Sequence, residues 1–142
     1  MSDLLPDGNF YILNVKRGNY AGVQEKTDDI VSAADGSIED PKNKWSVTRL
    51  PNDNYKLELI DAAKYAYVNS NSPVGTTVRL NPKPRQWVIK LAGANHYTIA
   101  SDDKEFAWGL SDSNIGTPVE LNSKAKVDDE STLWIFQPVM SN

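Results

Sequence analysis

With 142 residues, 39% of them apolar and 24% charged, the chain is long enough for one globular domain with a substantial core, and too apolar to be disordered. A net charge of −4, with no basic run longer than two residues, argues against a nucleic-acid backbone and disfavours an anionic membrane surface as partner. The absence of cysteine excludes disulfides, thiolate nucleophiles and thiolate metal sites.

In chain order the predicted elements are short strands in three units of four, about 1–50, 51–92 and 93–142, within one domain. The first unit opens on residues 9–15, where period-2 alternation puts Tyr11, Leu13 and Val15 on one face. Tyr20-Ala21-Gly22-Val23 follows, then a weaker match at Ile30-Val31, then a closing segment, Trp45-Ser46-Val47. The second unit repeats this as Tyr55 to Leu59, Tyr65-Ala66-Tyr67-Val68, Val78 to Leu80 and Trp87-Val88-Ile89. The third runs from His96-Tyr97 to Ala100, then Phe106-Ala107-Trp108-Gly109-Leu110, Val119 to Leu121 and Trp134-Ile135-Phe136. Turn residues separate them, as at Asp35-Gly36, Pro51-Asn52-Asp53, Asn69 to Pro73 and Ser111 to Asn114. No stretch keeps a 3.6-residue period over three turns, and none is long and apolar enough for a membrane helix.

The recurrence of these marks is the main signal. The opening tyrosines Tyr11, Tyr55 and Tyr97 lie 44 and then 42 residues apart, and the closing tryptophans Trp45, Trp87 and Trp134 lie 42 and then 47 apart. An aromatic–Ala pair falls between them in every unit. Two units share Gly-Thr-x-Val-x-Leu, at Gly75 to Leu80 and Gly116 to Leu121. Threefold repetition at this period predicts a closed all-β arrangement with few free edges. Longer excursions before Trp45 and Trp134, residues 33–44 and 122–132, mark where function diverges between units.

Over nearly its whole length the pattern resembles the β-trefoil. The third unit, with Tyr97-Thr98-Ile99, Trp108-Gly109-Leu110, Gly116-Thr117-Pro118-Val119 and Leu133-Trp134-Ile135-Phe136, resembles small cytoplasmic β-trefoil proteins of mushrooms, a group of defence lectins and protease inhibitors. The resemblance implies a six-stranded barrel capped by three hairpins. It also implies a glycan site made by a ring at Tyr67, the apolar Leu80 and the segment running into Trp87. Arg85 stands where that pattern places an aromatic residue. The Gln-x-Trp signature of ricin-type galactose binders is replaced by Asn43-Lys44-Trp45, Arg85-Gln86-Trp87 and Thr132-Leu133-Trp134.

Chemistry is poorly provided for. A catalytic reading of the one histidine, His96, would require Asp102 or Asp103 and Ser101 or Ser111 to converge on it. The acid pairs Asp28-Asp29, Asp102-Asp103 and Asp128-Asp129 lack the spacing of a calcium loop, so no enzyme activity, metal or cofactor is expected. Sugars are held by rings under their C–H faces and by amides, carboxylates and guanidinium groups on their hydroxyls. The expected glycan-binding residues are Tyr67, Asn69, Leu80, Arg85 and Trp87 in the second unit and Trp108, Asp112 and Asn114 in the third. Trp108 is placed with Tyr67, one residue past the alanine and facing water, with Gly22 as the ringless equivalent. The partner is then a glycan or glycoprotein. One alternative is a serine protease met by a loop at Lys26 and Thr27, with Lys26 entering an acidic specificity pocket; another is a larger partner protein on which the chain docks as an accessory subunit. With no visible signal peptide and no Asn-X-Ser/Thr sequon, a cytoplasmic location is expected.

Overall fold

The computed structural model describes residues 4–25, 29–123 and 129–139, and within them the backbone forms twelve strands and two single-turn 3-10 helices. The first unit contains β1 (Gly8–Asn14), β2 (Tyr20–Gly22), β3 (Ser32–Ala34) and β4 (Trp45–Arg49). The second contains β5 (Tyr55–Leu59), β6 (Lys64–Tyr67), β7 (Arg79–Asn81) and β8 (Trp87–Gly93). The third contains β9 (His96–Ser101), β10 (Ala107–Gly109), β11 (Glu120–Asn122) and β12 (Trp134–Pro138). The 3-10 turns, Pro41–Asn43 and Glu130–Thr132, sit in the two long excursions, each started by an aspartate, Asp40 or Asp129, that accepts a backbone N–H two residues on.

Antiparallel pairing runs β1–β4–β5–β8–β9–β12 and back to β1, so six strands close a barrel and leave it without an edge. The remaining strands pair as three hairpins, β2–β3, β6–β7 and β10–β11, which cap one end. The hairpins meet at a ring of three backbone hydrogen bonds. Val31 donates to Val78 (3.0 Å), Val78 to Val119 (2.8 Å) and Val119 back to Val31 (2.9 Å), and all three side chains are fully buried. Each hairpin thereby satisfies polar groups of the next at the axis, where water is excluded. This all-β architecture is a β-trefoil, as expected. The weak match at Ile30-Val31 is explained by the ring: Val31 is the axial residue, and β3 begins after it, as β7 begins after Val78.

Two marks fall one residue from where alternation placed them. The barrel pairs are Phe10 opposite Trp45, Tyr55 opposite Trp87 and Tyr97 opposite Trp134. Phe10, rather than Tyr11, is therefore the first opening aromatic, and Phe10 and Ile12 enter the barrel core. Tyr11 lies on the outer face, tilted against Tyr20 with ring centroids 5.4 Å apart.

The other shift concerns the third unit. The indole N–H of Trp45 donates to Ala21 C=O (2.9 Å), that of Trp87 to Ala66 C=O (3.1 Å) and that of Trp134 to Trp108 C=O (3.1 Å). Trp108 therefore occupies the place of Ala21 and Ala66. Cross-strand pairing agrees: Ala21 faces Ala33, Ala66 faces Leu80 and Trp108 faces Leu121. Two small side chains on the axis leave room for one large one, and Trp108 fills it. Its ring makes edge contacts with Trp45 (6.1 Å), Trp87 (5.4 Å) and Trp134 (6.1 Å), and all four indoles are completely buried.

Candidate functional site

With that register, the outward-facing position of each cap hairpin is Gly22, Tyr67 or Gly109, and only the second unit carries a ring there. The two glycines are required by close approach. A Cβ at Gly22 would lie 2.0 Å from Asn43 Oδ1, and one at Gly109 would lie 2.0 Å from Asn122 Nδ2. Asn43 is itself pinned, its Oδ1 accepting the Val23 N–H (3.0 Å). In the first and third units an asparagine thus roofs the hairpin, whereas in the second the same surface is left to Tyr67.

Beside Tyr67 opens a hollow of about 220 Å³ whose walls include Asn69, Ser72, Thr77, Arg79, Leu80 and Asn81. The turn that forms one wall is held locally: the Ser72 hydroxyl donates to Asn69 C=O (2.6 Å), and Asn71 takes the left-handed backbone that asparagine tolerates (φ 61°). Leu80, almost fully buried, floors the hollow, and Tyr67 is partly exposed. The side chains of Tyr67, Asn69, Thr77 and Arg79 make no hydrogen bond or ion pair among the described residues. An apolar floor, one ring and several uncommitted donors and acceptors form a surface fitted to a small polar ligand with an apolar face.

The structure brings Tyr67, Asn69 and Leu80 together, as the sequence suggested, but moves three other expected residues away from any ligand. Trp87 and Trp108 have no exposed surface, so the outward-facing indole expected at Trp108 is corrected to an axial core residue. The reason is the one-residue offset: position 108 is the inward position of β10, and Gly109 is its outward one.

Arg85 is not a free hydrogen-bonding group either. Its Nη2 pairs with Asp102 (2.7 Å) and Asp103 (3.2 Å) and its Nη1 donates to Ser70 Oγ (3.1 Å), with only 14% of the side chain exposed. Asp103 in turn accepts the Asn71 N–H (2.7 Å). The guanidinium is a clasp between the turn after β6 and the turn after β9, and it holds from below the segment that carries Asn69 and Ser72. The Asn71 N–H and the Arg85 charge hold the Asp103 carboxyl below the usual carboxylate range, against an opposing effect of burial. A lowered folded-state pKa means that the clasp is at full strength above the unfolded carboxylate pKa and is lost as pH falls through the lower folded value. Arg85→Ala is expected to destabilise the fold by about 1–2 kcal/mol in urea denaturation, since it leaves two half-buried carboxylates unpaired. It should also weaken ligand binding at the hollow. Arg85 Nε is buried without a partner, which keeps this figure below that of a fully satisfied network.

The third-unit set does not assemble. Asp112 accepts the Asn114 N–H (2.9 Å) and the Thr117 hydroxyl, contacts that close a turn. The Thr117 hydroxyl and then the Asn114 N–H lower its pKa. Asn114 is exposed on that turn, and the ring intended for them points into the core. The first unit has a hollow of about 200 Å³ lined in part by Gln24, Asp35, Ile38, Lys42 and Ile115, with no aromatic wall. Lys26 and Thr27 lie outside the described residues. His96 begins β9 while Asp102 and Asp103 follow its far end, so an extended strand holds them roughly 20 Å apart.

Arg79, Thr77, Ser72 and Asn81 are lining residues that sequence reasoning did not single out. The signal for Arg79 was present in the Val78-Arg79-Leu80 alternation. With Val78 and Leu80 pointing inward, Arg79 must point out, on the face that Tyr67 occupies across the hairpin.

The sequence matches no protein-family model and no curated protein. Solved structures do match. The Macrolepiota procera ricin B-like lectin, determined with lactose, is 17% identical with a TM-score of 0.83, the alignment covering 97% of this chain and 100% of that one. The Rhizoctonia solani agglutinin is 18% identical with a TM-score of 0.84, covering 98% and 100%. A proteinase inhibitor from Coprinopsis cinerea is 14% identical with a TM-score of 0.74, covering 95% and 99%. The chain is similar to all three in fold.

Proposed function

We propose that the chain is a non-enzymatic, lectin-like carbohydrate-binding protein that takes a glycan in the hollow of its second unit. The observation that carries this reading is the partly exposed Tyr67, the one ring among the three equivalent cap positions, beside uncommitted polar side chains. Tyr67 stacks under a sugar C–H face, Asn69 and Thr77 hydrogen-bond hydroxyls, and Leu80 supplies the apolar floor. Similarity in fold to two fungal lectins, one solved with lactose, is consistent with a glycan partner. A shallow site that buries little area gives weak affinity per site, so natural binding strength comes from multivalent display.

The test is a glycan array run beside a trypsin inhibition assay on the same preparation. Saccharide binding without inhibition supports the reading. Tight inhibition lost in Lys26→Ala, with an empty array, replaces it with the protease-inhibitor alternative. Silence in both assays favours a docking subunit, to be sought by co-purification.

A further inference from the structure

We infer that the ligand of the second-unit hollow is an acidic saccharide, with Arg79 receiving its carboxylate or sulfate; this rests on the sugar-site reading above and narrows it. Arg79 is paired in register with Tyr67 across β6 and β7, so the ring and the guanidinium stand side by side on one face of the hairpin. The same pair is Gly22 with Ser32 in the first unit and Gly109 with Glu120 in the third. Only the second unit sets a cation beside a ring.

Charge accounting sharpens the point. Two nearby cations are spoken for: Lys64 pairs with Asp29 at 2.7 Å, and Arg85 with Asp102 and Asp103. Arg79 makes no ion pair among the described residues, and no carboxylate lines the hollow. In a chain of net charge −4, a hollow that holds a guanidinium and no carboxylate among its described lining residues is a local inversion of sign. The first-unit hollow contrasts with it, since its walls include Asp35 and Asp40 with Lys42.

Donor chemistry then selects the ligand. A sugar hydroxyl both donates and accepts, and an amide such as Asn69 meets both needs. A guanidinium has five donors and no acceptor, in a planar fork that fits two oxygens of one anionic group. The pose follows: the pyranose lies on Tyr67, its hydroxyls reach Asn69 and Thr77, and the anionic substituent reaches Arg79.

The test is titration calorimetry of the intact chain, Arg79→Gln and Tyr67→Ala against three disaccharides that differ at one terminus: a uronic acid, the corresponding neutral hexose, and that hexose carrying an O-sulfate. The wild type is expected to bind an anionic form about tenfold or more tightly than the neutral one, as charge-assisted hydrogen bonds imply. Arg79→Gln should bring that ratio close to one, and added salt should shrink it in the wild type. The carboxylate and sulfate arms identify which anion is read. A wild-type ratio near one, or a ratio unchanged in Arg79→Gln, overturns the inference; if Tyr67→Ala still abolishes binding, the sugar-site reading stands. Binding of none of the three overturns both.

Discussion

Trp108→Ala is expected to be among the most damaging single substitutions in this chain, lowering unfolding free energy by about 3–5 kcal/mol. The replacement would put alanine at all three axial cap positions, leaving Trp45, Trp87 and Trp134 facing a void. Three edge-on aromatic contacts disappear with it, each contributing about 0.5–1.5 kcal/mol beyond area burial. One term works in the opposite direction, because Trp108 Nε1 is buried without a hydrogen-bond partner and its removal relieves that desolvation. Trp108→Phe keeps a ring and drops the orphan donor, so it should lose less than about 1.5 kcal/mol. Urea denaturation of the two variants and the parent gives the comparison, with an unchanged m-value confirming that stability alone has moved. Near-parental stability for Trp108→Ala would place that indole somewhere other than the axis.

Tyr67→Ala is expected to do the reverse. At a partly exposed cap position outside the tryptophan cluster it should change stability by less than about 1 kcal/mol. Saccharide affinity should fall at least tenfold, about 1.4 kcal/mol, because the stacking surface is lost and no other ring lines the hollow. Tyr67→Phe should retain most of the affinity if the face of the ring, rather than its hydroxyl, makes the contact. The pair Trp108→Ala and Tyr67→Ala therefore separates fold from function at two positions that look alike in sequence, each a ring one residue past an alanine in the second strand of its unit.

That likeness is also where sequence reading reaches its limit. The threefold frame was legible because turn residues and closing tryptophans recur, and because Trp45, Trp87 and Trp134 occupy the same barrel position. Register inside the short strands was not. A one-residue slip exchanges the two faces of a strand, and alternation identifies the faces only when one of them is polar. In β1, Phe10, Tyr11, Ile12 and Leu13 are all apolar, and both faces are covered, one by the barrel core and one by Tyr20. In β10 all three residues are buried, so Ala107 and Trp108 give no polar cue to choose between them. The second unit escapes this ambiguity because Tyr67 and Arg79 lie on an open face while Ala66 and Leu80 lie on a buried one. Three of its five expected residues, Tyr67, Asn69 and Leu80, accordingly share one hollow. Arg85 escaped that reading for another reason: its partners Asp102 and Asp103 belong to the next unit, and it is the β8–β9 hairpin, with Trp87 opposite Ser101, that brings them near.

One cap surface, at Tyr67, is open, and its two counterparts, at Gly22 and Gly109, are roofed. The most direct measurement is a heteronuclear NMR titration of the labelled chain with a saccharide that it binds on the array. Amide shifts concentrated at Tyr67, Asn69, Ser72, Thr77 and Arg79, with Gly22 and Gly109 unmoved, are the predicted result. Shifts centred on the Asp35 to Lys42 loop or on Asp112 and Asn114, with Tyr67 silent, would contradict it.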